Sequence, residues 1–365
     1  VLLALFDLSP AARATALFAA GWAAGWFLLA RPRTLPRPSD ERVRASCSVV
    51  VPARDEAHAI GAVVAAVVGQ LRPADELVVV DDHSADGTGA IARAGGATVV
   101  VPPALPPGWA GKPHACHHGA LRTSGDLLVF IDADVSPQPD LLDRLAAAQA
   151  RAPGALVSVQ PYHAVRRPHE QLSLVCNLAA LMGSSAFAAP GPRAAARVAF
   201  GPVLAASRSS YLASGGHAHP DVRGAVLEDI ALARRFPVTD LYVGSRRTTT
   251  FRMYPTGLRP LVEGWTKGMG IGVDATRRWA LVLVAAWVSS LAGGWLASPW
   301  FGLASGVQLA VLGRRVGSFH PVTFVLHPLP TLLFVVVTLR AVVLRRAGRT
   351  VTWKGRRLRP DQAAG

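Results

Sequence analysis

The sequence predicts an α/β fold, a parallel and right-handed half-sheet in the middle of the chain, with transmembrane-type helices at both the N-terminal and the C-terminal end. Three observations carry this reading. From Ser46 onward short apolar runs alternate with helix-forming stretches, the pattern of a Rossmann-like sheet. Three of those runs end in loops that bear acids. Charge is sparse outside the middle: residues 11–30 hold only Arg13, and residues 279–345 hold Arg314, Arg315, Arg340 and Arg345.

The elements follow in order. Ala14 to Ala30 is uncharged, contains Trp22, Trp26 and Phe27, and precedes Arg31-Pro32-Arg33. It lies near the lower limit for a span, ~17 residues, and reads as an anchor with the arginines on the cytoplasmic side. A cleaved signal peptide fits less well, because the positive start and small-residue exit are poorly formed. Cys47 to Val51 is a buried-type strand ending in Pro52-Ala53-Arg54-Asp55-Glu56, with a helix after it to about Gln70. Glu76 to Val80 is the second strand, ending in Asp81-Asp82-His83-Ser84-Ala85-Asp86-Gly87-Thr88, and Ala97 to Val101 the third. Leu127 to Ile131 is the fourth, and it stops at Asp132-Ala133-Asp134.

Ligands of open α/β sheets sit beyond the carboxyl ends of the strands. A period of two places Asp132 and Asp134 on one side there, where two carboxylates repel unless a cation joins them. Hard oxygen donors favour Mg2+ or Mn2+ that also holds a phosphate. The competing reading is a plain strand end, with Asp134 capping a helix that begins near Pro137. No Walker A sequence and no G-x-G-x-x-G occur, which excludes a P-loop kinase and a dinucleotide dehydrogenase.

Of 365 residues 51% are hydrophobic, mean hydropathy is +0.31 and net charge is +15. Lysine occurs only at 112, 267 and 354. The arginine clusters (Arg31, Arg33, Arg37, Arg42, Arg44 and Arg345 to Arg359) flank apolar segments, where anionic lipid or orientation explains them, so no nucleic acid is expected as partner. Cys47, Cys116 and Cys176 have no metal-type spacing and read as buried small residues.

VVVPARDE (49–56), VVVDDHSADGT (78–88), GWAGKPHACHHGA (108–120), FIDADV (130–135), GPVLAASRSSYLASGGH (201–217) and LEDIALARR (227–235) resemble, in order and spacing, the nucleotide-sugar domain of family-two glycosyltransferases of the GT-A fold. The resemblance implies that Pro52, Ala53, Arg54 and Glu56 pack around base and ribose, and that Asp82 accepts from the ring N–H of uracil. For Asp86 turn-making is the preferred reading. Lys112, at a helix start, would meet the diphosphate. Asp132 and Ala133 would lie at the nucleotide sugar, and Asp134 with Asp132 would hold the metal. Asp229 would be the general base and Glu228 its neighbour at the acceptor or phosphate. Gly216 and His217 would contact acceptor or phosphate, and Trp265 the acceptor. His114, Cys116, His117 and His118 do not have a zinc context, and the histidines read as outlying groups.

The processive motif Q-x-x-R-W is missing, so one sugar is transferred per cycle. GGH, LEDIAL, MYP and EGWTK look most like the carotenoid-acid glycosyltransferases. The expectation is therefore a membrane-bound, inverting enzyme of the cell membrane, multi-pass, with its catalytic domain cytoplasmic, that moves a sugar from a UDP-sugar to a lipid-phase carotenoid acid. Alternatives are a polyprenyl-phosphate or hopanoid-type lipid acceptor, a non-catalytic sugar-nucleotide-binding membrane protein, and a nucleotidyltransferase. The expected domains are an anchor and basic linker (1–45), the GT-A domain (46–275), membrane segments (276–347) and a basic tail (348–365). Trp279 to Ala297, Trp300 to Leu312 and Pro321 to Leu344 give three apolar segments, an odd number that would place the basic tail outside. One of the last two is expected to be re-entrant or interfacial.

Overall fold

The computed structural model describes residues 9–38, 44–189, 198–347, 351–353 and 356–358. Arg42 and Lys354 of the basic clusters, and most of the basic tail, lie outside the described residues. The chain begins with α1 (Pro10–Leu28), β1 (Cys47–Ala53), α2 (Ile60–Val68), β2 (Glu76–Asp81), α3 (Thr88–Ala94) and β3 (Thr98–Val100). There follow α4 (Gly111–Leu121), β4 (Leu127–Ile131), β5 (Val135–Pro137), α5 (Leu141–Arg151), β6 (Leu156–Gln160), β7 (Tyr162–His163) and α6 (Ser173–Gly183). Next are β8 (Val203–Ser207), α7 (Arg208–Ala213), a 3-10 turn (Gly216–Ala218), α8 (Pro220–Arg223), α9 (Glu228–Ala233), β9 (Thr239–Val243) and β10 (Thr249–Phe251). The last helices are α10 (Leu258–Ala275), α11 (Arg278–Ala297), α12 (Pro299–Val316), α13 (Pro321–Val325) and α14 (Pro328–Arg346). A short antiparallel pair, β11 (Val351–Trp353) and β12 (Arg356–Leu358), ends the described chain.

The chain divides into two compact units that do not follow chain order. One, formed by residues 33–164 and 194–252, carries a seven-stranded sheet of order β3-β2-β1-β4-β8-β6-β9 and a small sheet of order β5-β10-β7. β1, β2, β3 and β4 are parallel, as the alternation implies, but β8 runs antiparallel to both β4 and β6. The sheet is therefore mixed. The expected parallel half-sheet of β1 to β4 is present, and β8 extends it in the opposite direction, since a five-residue apolar run buries equally well either way. Val50, Val78, Val80, Leu128, Phe130, Leu204 and Ala206 form one face, covered by Ala115, Cys116 and Ala120 of α4 and by Leu232 and Ala233 of α9. Val49, Val51, Val79, Val129 and Ile131, also buried, form the other. This period of two orients everything at the strand ends.

Two of the linker arginines belong to this unit. The Arg44 side chain is buried, bidentate to Asp75 (2.6 and 2.9 Å) and 2.6 Å from Asp143, while Arg33 pairs with Asp240 at 2.7 Å. Lipid or orientation does not explain these two, because carboxylates of the fold already neutralise them. All three cysteines are free and buried, as expected.

The second unit holds α1, residues 165–189 and the helices from α10 onward. α11 and α14 are long and apolar enough to cross a membrane, and they are the two such helices among the described residues. α1 forms where an anchor is expected, but it is not among the helices apolar enough to cross. The expected segment Pro321 to Leu344 is broken after Val325, with His327 between a five-residue helix and α14.

A Cβ on Gly119 would stand 2.3 Å from Val50 Cγ1 and 3.0 Å from Val80 Cγ2, so α4 lies on the sheet through a missing side chain. Gly119→Ala should overpack this contact by about 1–3 kcal/mol and lower the thermal midpoint by several degrees. An unchanged midpoint would contradict this packing.

Candidate active site

The carboxyl ends of β2, β1 and β4 stand side by side, with Ala53 registered against Asp81. The loops after β1 and β2 are laced together. Asp55 N–H donates to Ser84 Oγ, Ala85 N–H to Asp55 Oδ1, Glu56 N–H to Thr88 Oγ1 and Ala57 N–H to Asp86 Oδ2, all at 2.8–2.9 Å. Asp55 and His83 hold left-handed φ of 52° and 58° to make these turns, a conformation that Asp and His adopt more readily than most residues. Asp86 accepts from Thr88 and Ala57 and is held below the usual carboxylate range by those donors, so it makes the turn as its sequence context suggests. Arg54 Nη1 reaches the carbonyl of Asp82 at 3.2 Å and its carboxylate at 3.4 Å. Ala53, Glu56 and Asp82 are buried and Pro52 half-buried, and with the laced loops they stand together at one rim.

The second group gathers on the next strand. β4 ends at Ile131, and the N–H of Val135 closes a turn onto the carbonyl of Asp132. The period of two therefore stops before Asp134, which is exposed, while Asp132 keeps the parity of Leu128 and Phe130 and leaves on the α4 face. Residues 135–137 form β5 and α5 begins at Leu141, so Asp134 caps no helix at Pro137. Ala133 is buried in the turn.

α4 begins at Gly111, so Lys112 lies within its first turn. Its Nζ is 2.7 Å from Asp132 Oδ1, 2.8 Å from Glu228 Oε1 and 3.4 Å from the carbonyl of Gly201. Burial alone would lower this ammonium's pKa, but the charges of Asp132 and Glu228 outweigh it and hold it well above its ordinary value. Glu228 and Asp229 open α9. Burial, and then the charge of Glu228, push Asp229 up to about 7, with Lys112 opposing. Ile230 N–H and Gly201 N–H donate to it.

Gly201 is a site residue that the sequence reading passed over. A Cβ there would lie 3.1 Å from both Asp229 Oδ2 and Lys112 Nζ, so carboxyl and ammonium close around a bare backbone. A glycine just before an apolar run is the signal that would have found it. Gly216 and His217 are buried beside Tyr211. Trp109 packs on His114 and His117, and His114 Nε2 meets His118 Nε2 at 3.1 Å. No group of three His, Cys, Asp or Glu side chains that could hold a metal occurs among the described residues. Trp265 belongs to the helical unit, where its indole donates to Ser173 at 3.0 Å and packs with Cys176, Leu261, Leu333 and Val337.

The pattern of the Glycosyl transferase family 2 matches residues 48–173. Two 4,4'-diaponeurosporenoate glycosyltransferases from strains of Staphylococcus aureus are similar to the chain. One is 32% identical over 329 residues, covering 85% of this chain and 87% of its own, and the other is 30% identical over 362 residues, covering 94% and 96%. A mannosyltransferase from Pyrobaculum calidifontis, solved with GDP-Man and Mn2+, shares the fold with a TM-score of 0.52 at 19% identity, over 91% of this chain and 98% of that one. A rim of strand-end loops, a shared ammonium and these relatives agree: the chain belongs to the family-two glycosyltransferases of the GT-A fold, among those similar to the diaponeurosporenoate enzymes.

Proposed function

We propose that the protein is a membrane-bound, inverting glycosyltransferase that moves one sugar from a nucleotide sugar, UDP-glucose, to the carboxylate of a long-chain carotenoid acid. The observation that carries this reading is the cluster in which Lys112 is shared by Asp132 and Glu228 while Asp229 lies against Gly201. The names of the S. aureus relatives supply the acceptor class. The helices α11 and α14 supply the means of meeting it in lipid. One face of α14 presents Leu329, Leu332, Val336, Leu339 and Val343 exposed at helical spacing, as a lipid-facing helix would.

The loops after β1 and β2 hold base and ribose, with Asp82 as acceptor for the uracil N–H. An acceptor oxygen attacks the anomeric carbon, the bond from that carbon to the diphosphate oxygen breaks, and the configuration inverts. Lys112 brings a positive charge to the departing diphosphate. Asp134, exposed, and Asp132 are hard oxygen donors fit for Mg2+ or Mn2+. With no third protein ligand gathered beside them among the described residues, they suit an ion that completes its shell from phosphate and water. When bound, such an ion would stabilise the negative charge that develops on the leaving group.

For an alcohol acceptor the proton goes to Asp229, which must be ionised to take it. Its raised pKa makes the active form grow as pH rises, so kcat should climb through about pH 7 and level off above. A carboxylic acid acceptor is already ionised there, and Asp229 then only orients it. Asp229→Asn should cost roughly 10²–10⁴ in kcat with an alcohol acceptor and much less with a carotenoid acid, as read by product formation in membranes. Equal large losses on both would contradict the reading. Gly201→Ala should lower kcat/KM roughly tenfold while the protein still melts normally, because the added methyl separates Lys112 from Asp229. Asp134→Asn and chelation should each abolish UDP release from UDP-glucose, and full turnover in chelator would refute the assigned metal ligands.

A further inference from the structure

The glycines of Gly215-Gly216-His217 have a structural reason. Both hold left-handed φ, 80° and 52°, and a Cβ on Gly216 would meet the ring of Tyr211 at 2.5 Å. The turn folds His217 back onto a tyrosine six residues earlier. Two hydrogen bonds join the pair, with the backbone N–H of His217 and the phenol oxygen 3.1 Å apart and that oxygen 2.9 Å from His217 Nδ1. Phe130, two residues before Asp132, closes the imidazole edge-on with ring centres 4.8 Å apart.

These contacts decide where the protons are. The backbone N–H can only donate, so the phenol oxygen accepts it. Among the described residues the phenol has these two partners, and its own proton therefore goes to Nδ1. The reverse arrangement, with Nδ1–H donating, would leave a phenol O–H without an acceptor in a place where Tyr211 is only 3% exposed. Nδ1 is thus an acceptor, and the ring proton resides on Nε2. Burial keeps the imidazole neutral, lowering its pKa to about 3, and the charges that act on it are those of Glu228, Lys112 and His117. The 3-10 turn that carries the ring packs against both α4, which bears Lys112, and α9, which bears Glu228, so the ring lies beside the elements that form the cluster.

We infer that Tyr211 is a positioning residue that locks His217 as the neutral Nε2–H tautomer, so that His217 presents a fixed N–H donor to an anionic oxygen at the Lys112–Glu228 cluster. The histidine is then neither a cation nor a proton-abstracting base in this enzyme. The oxygen belongs either to the donor's diphosphate or to Glu228. This role rests on the proposed glycosyl transfer, whereas the tautomer itself can be read without turnover.

The test combines 15N NMR of the histidine rings with kinetics of the full chain in detergent. In the wild type, His217, identified by its loss in His217→Gln, should show one protonated nitrogen, Nε2. In Tyr211→Phe it should show both tautomers in exchange. His217→Ala should lose roughly 10- to 100-fold in turnover, Tyr211→Phe an intermediate amount, and His217→Gln, whose amide N–H reaches toward the same place, should recover part of the loss. Weaker binding of UDP to His217→Ala would assign the oxygen to the diphosphate, and unchanged UDP binding with reduced kcat would assign it to Glu228. An Nδ1-protonated or doubly protonated ring in the wild type, or full activity in His217→Ala, would overturn the inference. A wild type with the expected ring signal but no turnover on any nucleotide sugar would instead sink the proposed function.

Discussion

A single ammonium, that of Lys112, stands between carboxylates from two distant parts of the chain, and the site takes its shape from that sharing. Asp132 arrives at the end of a fully buried strand, Glu228 at the start of a short helix, and both lie within 2.8 Å of the same Nζ. Two acids this close to a half-buried place would repel without the cation, and the cation would be costly to bury without both acids. Glu228 in turn acts on the carboxyl next to it, Asp229, which burial and that neighbouring charge leave weakly acidic. A pair of adjacent acids thereby comes to differ, one ion-paired and one weakly acidic.

The sheet is what lets these groups meet. The even positions of β1, β2, β4 and β8 face α4 and α9, so continuing the parity of Leu128 and Phe130 by one step aims Asp132 at the first turn of α4. Gly119 lets α4 lie close on Val50 and Val80, and Gly201 lets Lys112 and Asp229 approach each other without an intervening methyl. Precision at the rim is a product of apolar packing beneath it.

Much of this was legible in the sequence because the loops at strand ends are contiguous segments. PARDE, DDHSADGT and DAD each sit at the end of an apolar run, and the four parallel strands follow from their spacing. What the chain folds together from afar was not legible. Nothing local in GWAGK or LEDIA says that Lys112 will pair with Glu228, and nothing in Val203–Ser207 states its direction. A tryptophan in an apolar helix reads alike as a ligand contact or as core, and Trp265 is packed in the core of the helical unit. Arg33 and Arg44 looked like part of a basic flank, since sequence shows a charge but not the Asp240 or Asp75 that neutralises it. The pairing of Tyr211 with His217 spans only six residues, yet it needed the turn geometry of two glycines to be seen.

The most direct test of the shared ammonium is a double-mutant cycle on donor affinity, measured by calorimetry with UDP-glucose and Mn2+ for Lys112→Met, Glu228→Gln and the double variant. If Lys112 and Glu228 act as one unit, the double variant should bind little worse than Lys112→Met alone, a coupling of roughly 1 kcal/mol or more. Losses that simply add, or a Lys112→Met variant that binds as the wild type does, would contradict the account.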